Sequence, residues 1–236
     1  MKIVANAYWD IGKREVNEDS LFLEQIRILN GEITVAIIAD GIGSLEEGEC
    51  AGGYAVEELA GCLLDSIVPA LNHGRGLHNI SRILQRKLHQ IHEDFAAYSN
   101  LKSITLGTTL AFFLIYKKKY LVINLGDSVV IKFKGRREYK LLSQIHANSD
   151  GSINKCLGSM GYYEPCVKTG RILGKTGFLI APDGYYRKLR EHMYIFAPKD
   201  IWEEVQIQKR LEQAASISKS LKEKDNMSAV YIMCFG

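Results

Sequence analysis

The chain has 236 residues, of which 47% are apolar and 24% charged, with a formal net charge of +3. That is an ordinary globular composition, and the near-neutral charge argues against a nucleic-acid or membrane-surface partner. No apolar run approaches the roughly 20 residues a bilayer span requires, and the amino terminus lacks a secretory core and cleavage site. Five scattered cysteines without a CxxC pair predict reduced, mostly buried thiols in a cytoplasmic protein. Four prolines and no low-complexity tract predict one domain over residues 1–236.

In chain order, Lys2 to Trp9 reads as a strand and Asp10 to Arg14 as a turn. Leu21 to Leu29 pairs through Asn30-Gly31 with Ile33 to Ala39, a hairpin signal. Glu46 to Val68 has helical periodicity, with Pro69 expected to end it, and His73 to Gly76 forms a loop. Leu77 to Tyr98 is a second amphipathic helix with Ile80, Leu84, Leu88, Ile91 and Phe95 on one side. Its Arg82, Arg86 and Lys87 read as a solvated face, and His78, His89 and His92 as surface histidines. Gly107-Thr108-Thr109 opens the strand Leu110 to Tyr116, with a hairpin tip at Lys117 to Lys119. Strands follow at Tyr120 to Asn124, Ser128 to Phe133 and Tyr139 to Leu142. Lys132, Lys134, Arg136, Arg137 and Lys140 then read as charge protecting an edge. Tyr162 to Thr169 and Arg171 to Leu173 are weaker strands, and Phe178 to Ala181 a strong one. Tyr185 to Met193 and Asp200 to Lys222 read as helical, the latter with a break near Ile207, before a last strand, Met227 to Phe235. The order predicts an α+β layered sandwich of two sheets flanked by helices.

The chemistry lies at the strand ends. Val35 to Ala39 ends on Asp40-Gly41; Gly177 to Ala181 runs to Asp183-Gly184. Tyr120 to Leu125 reaches Gly126-Asp127. Glu18-Asp19 precedes one strand and Asp225-Asn226 another. A single Asp-Gly is usually only a turn. Repeated at strand ends they carry more: Asp19 and Asp225 precede strands and Asp40 and Asp183 follow them, so these four are placed to converge on one edge of a sandwich. An oxygen-only donor set selects Mg²⁺ or Mn²⁺ over zinc, and such ions suit hydrolysis of a phosphate ester. Arg14 is the cation placed to hold the phosphate oxygens.

The segments REVNED (14–19), ADGIG (39–43) with EEGECA after it, GTT (107–109), NLGDS (124–128), CLG (156–158), PDG (182–184) and DNMSAV (225–230) resemble, in order, the PP2C-type metal-dependent serine/threonine protein phosphatases, with a bacterial character. The resemblance implies a four-layer α-β-β-α sandwich of two antiparallel sheets. It also implies two Mn²⁺ or Mg²⁺ ions and a weaker third. Asp40 would bridge the first two, Gly41 would offer its carbonyl, Asp183 and Asp225 would complete the second ion's shell, and Glu18 and Asp19 would act directly or through water. Asp127 would hold the third ion and Arg14 the substrate phosphate, making Arg14, Asp19 and Asp40 the residues that carry catalysis. The implied reaction is hydrolysis of phosphoserine or phosphothreonine without a phospho-enzyme. Phosphorylated protein is the expected substrate, with a serine/threonine kinase or an anti-sigma-factor antagonist as partner.

Three departures stand out. Ile42 replaces the histidine of many eukaryotic members, which leaves water as the leaving-group acid. Val129 stands where arginine is usual, and Pro182 where serine is common. Only about a dozen residues separate Leu142 from Cys156, a shortened flap expected to open the site and loosen the third metal. A regulatory module on the same fold, and a phosphohydrolase of small molecules, remain alternatives at this point.

Overall fold

The computed structural model describes residues 1–43, 45, 47–135, 138–158 and 160–236. The starting point expected for the first helix, Glu46, and the basic pair Arg136 and Arg137 lie outside the described residues.

Two five-stranded antiparallel sheets face each other. The first runs β1 (Lys2–Asp10), β12 (Met227–Phe235), β11 (Thr176–Ala181), β7 (Val129–Phe133), β8 (Tyr139–Leu141). The second runs β10 (Cys166–Arg171), β6 (Lys119–Leu125), β5 (Leu110–Tyr116), β3 (Gly31–Asp40), β2 (Asp19–Ile28). A short ladder joins β4 (Gly107–Thr108) to β9 (Leu157–Gly158). The central strands read as continuous apolar runs because each is covered on both faces. Ala36, Ile38, Phe113, Val122, Phe178, Ile180, Val230 and Ile232 fill the space between the sheets. Alternate residues of the same strands, such as Val35, Ile37, Phe112 and Ile123, pack against α1 (Gly48–Cys62) and α3 (Leu77–Lys102). On the far side Leu179, Tyr231 and Met233 pack against α4 (Asp183–Tyr186), the helical segment Arg187–Phe196 and α5 (Glu204–Ser220). The period-two alternation therefore builds three apolar layers and the expected α-β-β-α order.

Several local expectations are corrected. Pro69 does not end the first helix. A π-helical turn, Leu63–Ile67, hands over to α2 (Val68–Asn72), which places Pro69 in a first turn where no amide is needed. Tyr162 to Pro165 is not strand. Pro165 has no amide to donate, and the Tyr162 ring packs on His89 and His92, at 4.7 and 5.6 Å between centroids. His92 is thereby no free surface histidine; its Nδ1 sits 2.6 Å from the Gly158 carbonyl and ties α3 to β9. Lys87 is not solvated but pairs with Glu58 of α1. The last helix is unbroken at Ile207 and starts at Glu204, after a capping box between Glu203 and Gln206 and a left-handed Asp200. The lysine-bearing β8 is an edge strand, as its charge pattern implies.

Phe178 is fully buried between the sheets, with ring centroids of Phe113 and Tyr120 at 4.7 and 5.3 Å. Phe178→Ala should cost about 3–5 kcal/mol in urea unfolding. A loss below about 1 kcal/mol would show that this layer repacks freely and does not fix the spacing of the sheets.

Candidate active site

The hairpin β2–β3 has a register that sets Asp19 directly opposite Asp40. Two carboxylates on paired strand ends are unfavourable neighbours unless a cation joins them. The structure clamps them nonetheless. Gly41 N donates to Glu18 O at 3.0 Å, Thr109 N to Asp40 O at 2.8 Å, and Asp40 N to Thr109 Oγ1 at 3.2 Å. Thr109 is itself fixed by Ser128 Oγ at 2.7 Å. Both threonines of the GTT motif are fully buried. The motif is thus a brace for β3 and not a ligand set.

The second sheet contributes the other carboxylates. Asp183 follows β11 and Asp225 precedes β12, which pair antiparallel, so both fall on the same rim. Asn226 locks this rim to the amino-terminal loop. Its Oδ1 accepts from Glu18 N at 3.0 Å, while its Nδ2 donates to Ile11 O and Val16 O at 2.9 and 3.0 Å. Gly12 completes the contact with φ +66°; a Cβ there would lie 2.0 Å from the Asp225 carbonyl oxygen. Asp127 enters from the β6–β7 turn, and Tyr186 Oη donates to its carbonyl at 3.2 Å.

These residues surround a cavity of about 600 Å³ whose walls include Arg14, Glu18, Asp40, Gly41, Asp127, Asp183 and Asp225. Asp19 lies behind Asp40 and is 3% exposed. All the residues singled out from the sequence are therefore brought to one place. Ile42 also lines the cavity, so that position supplies no proton donor. The short flap does not leave the site bare: Gly151 to Cys156 form one wall. This segment is held by His146 N donating to Gly126 O and by a turn in which Ser152 N and Oγ both donate to Asp150 Oδ1.

The electrostatics are dominated by burial and then by like charge. Burial, with Asp225, Asp183 and Glu18 nearby, pushes the Asp19 carboxyl up to about 7. Burial and Asp127 push Asp183 up to about 6, although Arg187 acts the other way. Burial, then Asp19 and Asp183, hold Asp40 well above the usual carboxylate range. Asp127 and Glu18 are also raised, chiefly by burial. Two arginines offset part of this charge. Arg14 Nη2 lies 2.9 Å from Asp225 and Nη1 3.8 Å from Glu18. Arg187 Nη1 lies 2.6 Å from Asp183 and Nη2 3.0 Å from the buried Glu223.

Reasoning from sequence missed Arg187, Glu223 and Lys155, the last on the flap wall of the cavity. Arg187 had a signal, the i,i+4 spacing from Asp183; Lys155 and Glu223 had none. Among the described residues no three His, Cys, Asp or Glu side chains are drawn together as tightly as a bound ion requires. The donor chemistry still fits hard divalent cations. Among the described residues, Asp19 Oδ1, Asp19 Oδ2 and Asp127 Oδ1 are buried with no hydrogen-bond partner, and the one thiol on the cavity wall, Cys156, is pushed up to about 11 by burial, so the rim offers carboxylate oxygens and not thiolate.

A family model described as Protein phosphatase 2C matches residues 10–223. Among curated proteins, protein phosphatase PhpP of Streptococcus pneumoniae is 26% identical over 135 residues, 57% of this chain and 52% of PhpP. The chain spans about half the length of the curated relatives it matches. Among solved structures, serine/threonine phosphatase Stp1 from Staphylococcus aureus superposes with TM-score 0.80 at 17% identity, covering 100% of this chain and 96% of Stp1. The catalytic domain of serine threonine protein phosphatase PstP, in complex with 2 manganese ions, superposes with TM-score 0.75 at 18% identity over 98% and 97%. These two likenesses are of fold.

The raised Asp19 carboxyl has a consequence for the metal-free protein. Its folded value of about 7 exceeds the ordinary 3.8, so the group stabilises the fold below about pH 4 and loses that contribution as pH rises through 7. Asp19→Asn removes the charge and keeps the shape. In excess chelator the variant should melt at least ~2 °C above the parent near pH 8, and the gap should close near pH 4. A gap that does not change with pH would contradict a raised Asp19 carboxyl.

Proposed function

This chain belongs to the protein phosphatase 2C family, and from that membership we propose that it hydrolyses phosphoserine and phosphothreonine in proteins with the help of divalent Mg²⁺ or Mn²⁺. One observation carries the proposal: carboxylates from both sheets crowd one rim, raised by burial and by each other, with buried oxygens of Asp19 and Asp127 left without a hydrogen-bond partner among the described residues. A set so arranged is incomplete without positive charge.

Asp40 is the natural shared ligand, since it lies at the centre of the charge network and its carboxyl responds to Asp19, Asp183, Asp127 and Asp225 alike. Asp183 and Asp225 approach from the second sheet, Glu18 and Asp19 from the first, and the Gly41 carbonyl is at the same rim. Asp127, on the same cavity wall, would hold a third, weaker ion. When bound, the ions supply Lewis acidity, which lowers the pKa of water and neutralises phosphoryl charge.

The chain's own residues do the rest. Arg14 is half exposed at the cavity mouth, and its planar fork suits two phosphate oxygens. Lys155 adds a second cation from the flap wall. Arg187 is tied to Asp183 and Glu223 and, unlike Arg14, does not line the cavity, so it positions a carboxylate and does not reach for substrate. Ile42 excludes water from one side of the cavity and offers no proton, so the departing alkoxide takes its proton from solvent. A phosphorylated protein is the substrate; a serine/threonine kinase is the partner class the family suggests.

The test is release of phosphate from a phosphothreonine peptide with and without Mn²⁺. Asp183→Asn should lose activity by about two or more orders of magnitude. Arg14→Ala, assayed at saturating Mn²⁺, should raise KM for the peptide about tenfold. Mn²⁺ bound with no turnover would support the regulatory module instead. Faster turnover of nucleotide or sugar phosphates than of the peptide would support a small-molecule phosphohydrolase.

A further inference from the structure

β10 is the free edge of the second sheet. Ile172 N donates to Lys118 O at 2.9 Å just beyond its end. From that pair the antiparallel alternation turns the backbone N–H and C=O of Arg171, Thr169 and Val167 away from β6. Among the described residues only the Arg171 carbonyl of this outer row finds a partner, Lys132 Nζ at 3.0 Å. The outer row therefore presents unpaired donors and acceptors over the length of the strand.

That row opens into a groove. Val167, Thr169 and Arg171 form one wall, and Leu77, His78 and Ser81 of α3 form the other, enclosing about 600 Å³. At its Arg171 end the groove meets a second hollow of about 690 Å³, which adds Arg75, Lys117 and Lys118 and shares Lys119. No carboxylate lines either hollow. None of these five cations forms a salt bridge among the described residues. The first turn of α3 contains no acidic residue either. The cationic hollow, with Asn30 on its wall, lies at the opposite end of the sheets from the carboxylate rim: β3 runs from Gly31 at this end to Asp40 at the other, ten residues or about 30 Å.

An unpaired edge is a template for another strand. Here the flanking positive charge repels a second copy of the same edge and attracts an acidic one. We propose that β10 accepts an extended, Asp- and Glu-rich segment of another protein as an added antiparallel or parallel strand, with its carboxylates held by Lys119, Arg171 and the cations beyond them. Main-chain hydrogen bonds to the outer row would supply affinity, and the cationic hollow would supply selectivity. This surface is separate from the carboxylate rim, and binding there does not depend on the hydrolytic reading.

The experiment is fluorescence anisotropy with a labelled peptide of alternating glutamate and threonine, and a lysine–threonine peptide as control. The glutamate peptide should bind and the lysine peptide should not. Thr169→Pro removes an outward amide without taking a donor from β6, and should weaken binding about tenfold with thermal melting unchanged. Lys119→Glu with Arg171→Glu should weaken it by at least about tenfold. If Thr169→Pro does not fold, N-methylation of alternate peptide amides tests the same bonds on the parent protein. No binding of the glutamate peptide, or binding indifferent to both the backbone changes and the charge reversal, would overturn the proposal. Loss on charge reversal alone would overturn strand addition.

Discussion

Like charge held at close quarters is the constraint on which this structure turns. Asp19 and Asp40 face each other across a strand pair, and Asp183, Asp127 and Asp225 act on the same centre. Water would normally screen such a group, but burial removes it, so the carboxyls of Asp19, Asp40, Asp127 and Asp183 are raised by their surroundings and by their neighbours. An arrangement of this kind persists only where the backbone overrules the local repulsion. The Thr109–Ser128 brace and the Asn226 lock are the means of doing so, and each joins elements far apart in sequence.

Those braces hold because the layers behind them do not yield. The strands that end in Asp40 and Asp183 are buried on both faces along nearly their whole length. Side chains on one face set the distance between the sheets, and side chains on the other anchor each sheet to its helices. Closely packed interiors resist small displacements. The rim carboxylates inherit that rigidity, while the flap wall is stitched by polar contacts such as Asn148 to Ser152. Charge is distributed accordingly. The rim carboxylates gather at one end of the sheets and the cluster of Arg75, Lys117, Lys118, Lys119 and Arg171 at the other, so a small net charge conceals an uneven surface.

Much of this was legible in the sequence because it rests on local pattern. An apolar run such as Val35 to Ala39 followed by Asp40 states both the strand and the position of the carboxylate. The period-two alternation in Leu110 to Tyr116 states which faces are covered. What was not legible depends on partners distant in the chain. Glu223 has no pattern that marks it as the buried anchor of Arg187, and Lys155 reaches the cavity only because its loop folds back over Gly126. His92 looked like a surface residue until Tyr162 and Gly158 came to meet it. Pro69 misled for a different reason: a proline ends a continuous helix, but the π-helical turn before it begins the hydrogen-bond count anew.

The central claim is that the crowded carboxylates form a divalent-cation site. Calorimetric titration of Mn²⁺ into the protein near pH 6 tests it most directly, repeated in buffers of different ionisation enthalpy. The account expects binding that releases protons, because carboxyls raised towards 7 must lose them to hold a cation, and it expects Asp40→Asn to abolish most of that binding. Mn²⁺ uptake with no proton release, or uptake that survives Asp40→Asn unchanged, would contradict it.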